Sequence, residues 1–382
     1  MERRTDTDQF ETIIIGGGQA GLATGHHLAR LGLPFVILDA NDRVGDSWRN
    51  RWDSLRLFTP ARYDSLPGMP FPAPNRSYPT KDETADYLEA YAARFDLPVR
   101  SGVRVDRLVK EEDRFIATAG DLRFEAENVV VASGAYHAPR IPGFASELDP
   151  AIVQLHSSQY RGPSQLRDGG VLVVGAGNSG AEIALEVSRH HRTWLSGRDT
   201  GQEPTRAGSV PDRLFMPIMW FMAARVLNVR TPIGRKARDH FLDPPRGIPL
   251  GRVRRKDIRA AGIERVLRTA DVRNGCPVLE DGRILDVSNV IWCTGFVPDF
   301  SWIDLPILDH NGFPMHTRGV VESQPGLYFM GLLFLSTLSS ALVGGVGRDA
   351  EHIANHLMST RSGLREGGEW HDEVTPAGLE SI

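Results

Sequence analysis

A strand-like apolar run, the pattern Gly-x-Gly-x-x-Gly and a helix-like stretch occur in that order twice in this chain, 159 residues apart. The first copy is Thr12-Ile13-Ile14-Ile15 followed by Gly16, Gly18 and Gly21. The second is Val171-Leu172-Val173-Val174 followed by Gly175, Gly177 and Gly180, with Asn178 and Ser179 opening the second helix. In such a set the first glycine permits a tight strand-to-helix turn, the second lets the backbone approach a pyrophosphate, and the third allows close helix–strand packing. Free N–H groups at the helix N-terminus then bind the phosphates. One set alone is weak evidence against an ordinary glycine-rich turn; two, each in its strand–helix context, point to a pair of dinucleotide sites.

The end of the next strand separates the two ligands. Phe35-Val36-Ile37-Leu38 leads to Asp39, 23 residues after Gly16, and the same offset from Gly175 lands on Arg198, just beyond Ser196. A carboxylate there accepts ribose hydroxyls and repels a 2′-phosphate, so the first copy reads as a site for FAD or NAD. An arginine with a neighbouring serine accommodates a 2′-phosphate, so the second reads as a site for NADP.

Two further runs, Asn128 to Ala135 (containing Ser133) and Asn289 to Phe296, share the form apolar strand, small residue, Ser or Thr, Gly. They read as crossover points between a discontinuous first domain, residues 1–150 plus 287–382, and an inserted second domain, residues 151–286, with a helical insert at about 205–250. His137 to Gly143, Asp281-Gly282 and Val297-Pro298 supply linker signals. The expected fold class is α/β: two Rossmann-like domains in a glutathione-reductase-like arrangement.

Composition removes other classes. A net charge of −4 over 382 residues provides no basic field for nucleic acid. Two cysteines, Cys276 and Cys293, make neither a disulfide framework nor a CxxC relay and fit a reducing, cytoplasmic setting. No export signal follows Arg3-Arg4. The uncharged run from Ser323 to Gly347 reads as a buried strand and a glycine-rich bend before a helix, not as a membrane span. Leu214 to Met222, followed by Arg225, Arg230, Arg235, Lys236 and Arg238, reads equally as an interfacial segment, a lid or core.

With Gly16 to Gly21, Asp39, Gly45-Asp46-Ser47-Trp48, Leu155 to Tyr160, Gly175 to Gly180, Cys293 to Phe296 and Gly347-Arg348-Asp349-Ala350 in place, the chain resembles the class B flavin-dependent monooxygenases, in the bacterial and YUCCA-like branch of the flavin-containing monooxygenases. The resemblance implies FAD and NADP as cofactors, with O2 and a small molecule as co-substrates. It implies hydride transfer from NADPH to flavin and oxygen insertion through a C4a-(hydro)peroxyflavin into an apolar or aromatic substrate, by N- or S-oxygenation or a related reaction. It also implies that Trp48 and Asp349 lie near the flavin and that the Val105 backbone meets the adenine. The fingerprint keeps His156 and Tyr160 but has Pro150 and Ile152 at its Phe and Gly positions, and Leu55 to Pro60 lacks the Asn that some members hold near the flavin. A flavin reductase or oxidase without oxygen insertion, and a non-turnover nucleotide-binding flavoprotein, remain alternatives.

No catalytic side chain is assigned. His352 and His356 have metal-ligand spacing but lack a third ligand, so a helix surface is expected and no metal. The basic cluster Arg252 to Lys256 reads as solvated or touching a cofactor phosphate, and the tail from about Thr360 as frayed. A homodimer is left open.

Overall fold

In the computed structural model, which describes residues 7–134, 138–242 and 249–367, each glycine motif sits at the end of an inner strand of its own sheet. The chain begins with β1 (Thr7–Ile15), α1 (Gln19–Arg30) and β2 (Phe35–Leu38), followed by α2 (Asp46–Arg49), α3 (Lys81–Arg94) and β3 (Val99–Arg100). The meander β4 (Arg107–Glu111), β5 (Arg114–Ala119) and β6 (Leu122–Val131) completes this part. β1 pairs in parallel with β2 on one side and β6 on the other. Its run Ile13-Ile14-Ile15 is buried on both faces, as a strand covered from both sides must be. Thr80 caps α3 reciprocally with Glu83, which fixes where that helix starts.

After β7 (Ala138–Pro139) come β8 (Val153–His156), β9 (Val171–Val174), α4 (Asn178–Val187) and β10 (Thr193–Ser196). The insert then supplies α5 (Val210–Phe221), one π-turn at Met222–Val226 and α6 (Pro232–Leu242). The chain returns through α7 (Arg255–Ala260), β11 (Glu264–Val266), the hairpin β12 (Thr269–Arg273) and β13 (Cys276–Leu279), and β14 (Asn289–Trp292). The second sheet is parallel throughout, in the order β11-β10-β9-β14-β8.

β15 (Phe296–Val297) then pairs antiparallel with β7, and β16 (Leu327–Phe329) joins the first sheet beside the C-terminal half of β6. α8 (Val346–Gly367) packs on α1. The chain therefore leaves the first sheet and re-enters it, and the β7–β15 ribbon carries both crossings. The expected boundary at 287 needs correction: β14 pairs with β9 and β8, so the second unit runs past Trp292. The expected fraying from Thr360 is corrected too, because α8 continues to Gly367. Ala135 and His137 of the first crossover, residues 243–248 of the insert and the chain beyond 367 lie outside the described residues.

Phe329 of β16 is fully buried and meets Phe300 edge-on, with ring centroids 5.4 Å apart. Phe329→Ala should cost about 3–5 kcal/mol, because the cavity left between β16 and its neighbours cannot collapse fully. Equilibrium urea unfolding checks this.

Candidate cofactor and active site

The two glycine loops are built alike. A Cβ on Gly16 would overlap the Ala132 carbonyl at the end of β6, and one on Gly175 would overlap the Cys293 carbonyl after β14. Both glycines adopt positive φ, +114° and +110°, which L side chains rarely reach. A Cβ on Gly21 would overlap the Gly16 carbonyl, and one on Gly180 the Gly175 carbonyl, so each helix lies directly against its own turn. Gly18 and Gly177 are the opposite case: a Cβ there would meet nothing within 4 Å. They are also the N-cap residues of α1 and α4, whose first turns hold no acidic residue and no side-chain cap. Each loop thus presents N–H groups and the positive end of a helix dipole toward open space, which fits a dinucleotide pyrophosphate.

Asp39 follows β2 and is buried; its Oδ1 accepts from the Asn41 backbone N–H and side-chain amide, both at 2.9 Å. Its Oδ2 occupies the space where a Cβ on Gly17 would stand. Gly17 is therefore a residue that spacing did not single out, although the run of three glycines was its visible signal. Trp48, in the short helix α2, and Val105, before β4, are half-buried against the first core. Ser133 is exposed beyond the end of β6.

Arg198 is exposed beyond β10, beside a 410 Å³ cavity that Arg265, Leu267 and Arg268 also line. Arg265 donates to the Gly197 carbonyl at 3.0 Å. Ser196 does not join them. It is fully buried, donates to the Leu267 carbonyl and accepts from the Thr269 N–H, each at 2.9 Å. β10 is buried on both faces, and these bonds hold Ser196 in the core rather than at the phosphate position expected for it. Asn178 is likewise engaged: its amide donates to the Pro249 carbonyl (3.2 Å) and accepts from Gly251 N–H (3.1 Å), tying the end of the insert to α4. Ser179 is half-buried at the second position of α4. In the basic cluster, Arg252 pairs with Glu182 at 3.5 Å and Arg255 with Asp199 at 2.6 Å.

The side chain of His156 ties the end of β8 to the second crossing. It is buried at the end of β8, with Nε2 3.0 Å from the Gly295 carbonyl and its ring edge-on to Phe296. Burial lowers its pKa, so a neutral, structural imidazole is in place. Tyr160 donates to Glu186 at 2.9 Å. Burial pushes the Cys293 thiol up to about 12, so it is not a ready thiolate.

Elements distant in sequence converge above the first loop. Gly331 meets Ala20, the Gln19 amide reaches the Ala341 carbonyl at 3.5 Å, and Gly344 packs on the Tyr63 carbonyl. Asp349, in the first turn of α8, is buried and accepts from the Ser336 hydroxyl. Burial raises its pKa; hydrogen bonds from Ser336 and Ser340, then Arg318 and Arg348, offset part of the rise. Asp64 was not foreseen. It is buried, accepts from Thr59 Oγ1 at 2.6 Å, and its Oδ2 has no hydrogen-bond partner among the described residues. Burial raises its pKa to about 7. The insert closes this region: Val229 donates to the Ser336 carbonyl (2.9 Å), Arg348 to the Ala224 carbonyl (2.7 Å), and Trp220 stacks on Tyr63 (4.9 Å). A separate 630 Å³ concavity beside Arg107 and Asp304 is lined by none of the residues of either loop. Among the described residues no group of three or more side chains could hold a metal.

Two predictions follow from this geometry. Gly180→Ala should lower the melting temperature because its Cβ meets backbone, whereas Gly177→Ala should melt near the parent and weaken dinucleotide binding about tenfold or more; thermal melts and titration calorimetry separate the two. A carboxyl raised to about 7 is protonated when folded and ionised when unfolded above its ordinary 3.8, so stability falls as pH rises through that window. Asp64→Asn should therefore gain roughly 2–3 kcal/mol on the parent between about pH 5 and about pH 8, read from urea unfolding at each pH.

Residues 13–209 match the family described as pyridine nucleotide-disulphide oxidoreductase. The uncharacterized oxidoreductase CzcO-like of Geobacillus kaustophilus is 42% identical over 351 residues, 91% of this chain and 98% of that protein. The probable indole-3-pyruvate monooxygenase YUCCA9 of Arabidopsis thaliana is 28% identical, across 95% of this chain and 90% of its own. The flavin-containing monooxygenase from Stenotrophomonas maltophilia has a similar structure, with a TM-score of 0.72 at 29% identity, covering 93% of this chain and 99% of that one. Two glycine cradles, one beside a buried carboxylate and one beside an exposed arginine, thus recur in a chain matched nearly end to end by such enzymes: it belongs to the pyridine nucleotide-disulphide oxidoreductase family and is a class B flavin monooxygenase, an oxidoreductase of FAD and NADP(H).

Proposed function

We propose that the protein is a cytoplasmic, NADPH-dependent FAD monooxygenase that places one oxygen atom of O2 into a small apolar or aromatic substrate, with its two units in a glutathione-reductase-like arrangement. The observation that carries this reading is the asymmetry between otherwise equivalent loops: Asp39 is buried over Gly17 at the first, and Arg198 stands free of any carboxylate partner among the described residues at the second. Gly16, Gly18, Gly21, Asp39, Trp48, Val105, Ser133 and Asp349 would hold FAD. Gly175, Gly177, Ser179, Gly180 and Arg198 would hold NADPH, with Asn178 keeping the insert on the α4 terminus. When bound, the pair supplies reducing electrons and a ring that activates O2.

The chain's own tasks are orientation and exclusion of water. The buried run Met330, Leu332, Phe334 and Leu335, backed by the insert, makes a dry apolar wall beside the first loop. Such a wall suits an apolar substrate better than a charged one. Burial raises the Asp64 carboxyl toward neutrality, so below neutral pH it holds its proton beside Thr59, where a carboxylate would be costly. The probable indole-3-pyruvate monooxygenases among the relatives agree with an aromatic substrate. A second reading, an oxidase that releases H2O2, draws on the missing Asn in Leu55 to Pro60.

Arg198→Ala should lower the NADPH-to-NADH ratio of kcat/KM about 10- to 100-fold, the worth of one charge-assisted hydrogen bond. An unchanged ratio removes Arg198 from the site. NADPH consumption with a panel of amines, sulfides and carbonyl compounds should yield oxygenated product at the expense of H2O2; peroxide alone with every substrate favours the oxidase.

A further inference from the structure

One face of α5 is uncovered. Val210, Leu214, Ile218 and Phe221 recur at steps of four, four and three, a single stripe on an α-helix, and are 67, 74, 63 and 59% exposed. The helix is not loosely placed. On its other side Asp212 is buried and accepts from Tyr78 Oη, Thr205 Oγ1 and the Gly208 N–H, at 2.9–3.0 Å, and Trp220 stacks on Tyr63. These contacts aim the stripe outward. Ile233 of α6, later in the same insert, is also 63% exposed. Single exposed apolar residues are common, but an aligned set is not.

The surroundings are cationic. Arg213, Arg225, Arg230, Arg235, Lys236 and Arg238 are all exposed, and none forms an ion pair with a described carboxylate. Of the two acidic residues between 210 and 241, Asp212 is consumed inside the fold, leaving Asp239. A chain of net charge −4 therefore carries a cation-rich stretch, residues 213–238, that includes most of its exposed apolar stripe.

That combination selects among occupants. A second copy docking through a two-fold axis would set the same cations against each other. A small apolar ligand would leave them unused. An anionic bilayer satisfies both parts, with the apolar side chains entering the headgroup–acyl boundary and the arginines meeting lipid phosphates. No described helix is long and apolar enough to cross a membrane, so the contact lies in the plane of one leaflet.

We propose that α5 and α6 form a docking surface for an anionic lipid bilayer. The surface stands on exposure and charge and does not depend on the oxygenation chemistry. The test is flotation of the full-length holoenzyme with vesicles of phosphatidylcholine containing about a third phosphatidylglycerol, beside pure phosphatidylcholine vesicles. The parent should bind the anionic vesicles, bind neutral ones far less, and lose most binding in high salt. Leu214→Glu/Ile218→Glu and, separately, Arg235→Glu/Lys236→Glu should each weaken partition about tenfold or more while the melting temperature stays with the parent. The proposal is overturned by absent binding to anionic vesicles, by binding that neither variant weakens, or by a parent dimer that the apolar variant converts to monomer without any vesicle binding.

Discussion

Helix and strand touch backbone to backbone at two places, Gly21 on the Gly16 carbonyl and Gly180 on the Gly175 carbonyl, and both sites depend on that approach. No side chain fits there. Because α1 and α4 sit so close to β1 and β9, their N-termini end over the strand ends, where N–H groups and the helix dipole converge. The same closeness brings β6 and β14 beside the first glycine of each loop through the Ala132 and Cys293 carbonyls. Asp39 and Arg198 then take equivalent places after the neighbouring strands, and the contrast between a carboxylate and a guanidinium is what the proposed assignment of FAD and NADPH rests on.

The insert plays a second part. It follows β10 of the second sheet, yet it rests on segments of the first part, through Tyr63, Tyr78, Ser336 and Arg348. Asn178 and Arg252 hold its far end against α4. Its inner face is committed to those contacts, and the apolar residues of its outer face stay exposed among the described residues.

Buried charge around α8 follows from the same closure. Asp349 and Asp64 are carboxyls held among hydroxyls in a region the insert covers, and burial raises both. Isolated carboxylates in such a place would be costly, so each is engaged by a Ser or Thr hydroxyl.

Short-range patterns carried much of this in the sequence. The two glycine sets, the offsets to Asp39 and Arg198, the late strand at Leu327–Phe329 and the helix from Val346 all depend on residues within about two dozen positions of one another, where turn geometry and periodicity act directly. What required the tertiary structure is whatever long-range pairing decides. β14 joins the second sheet because β9 and β8 accept it, which no local signal in Asn289 to Trp292 reveals. Ser196 points into the core because Leu267 and Thr269 meet it there, and Asn178 holds the insert because residues 249–251 return beside it. A residue's type announces what it can bind; burial and partners arriving from elsewhere in the chain determine what it does bind.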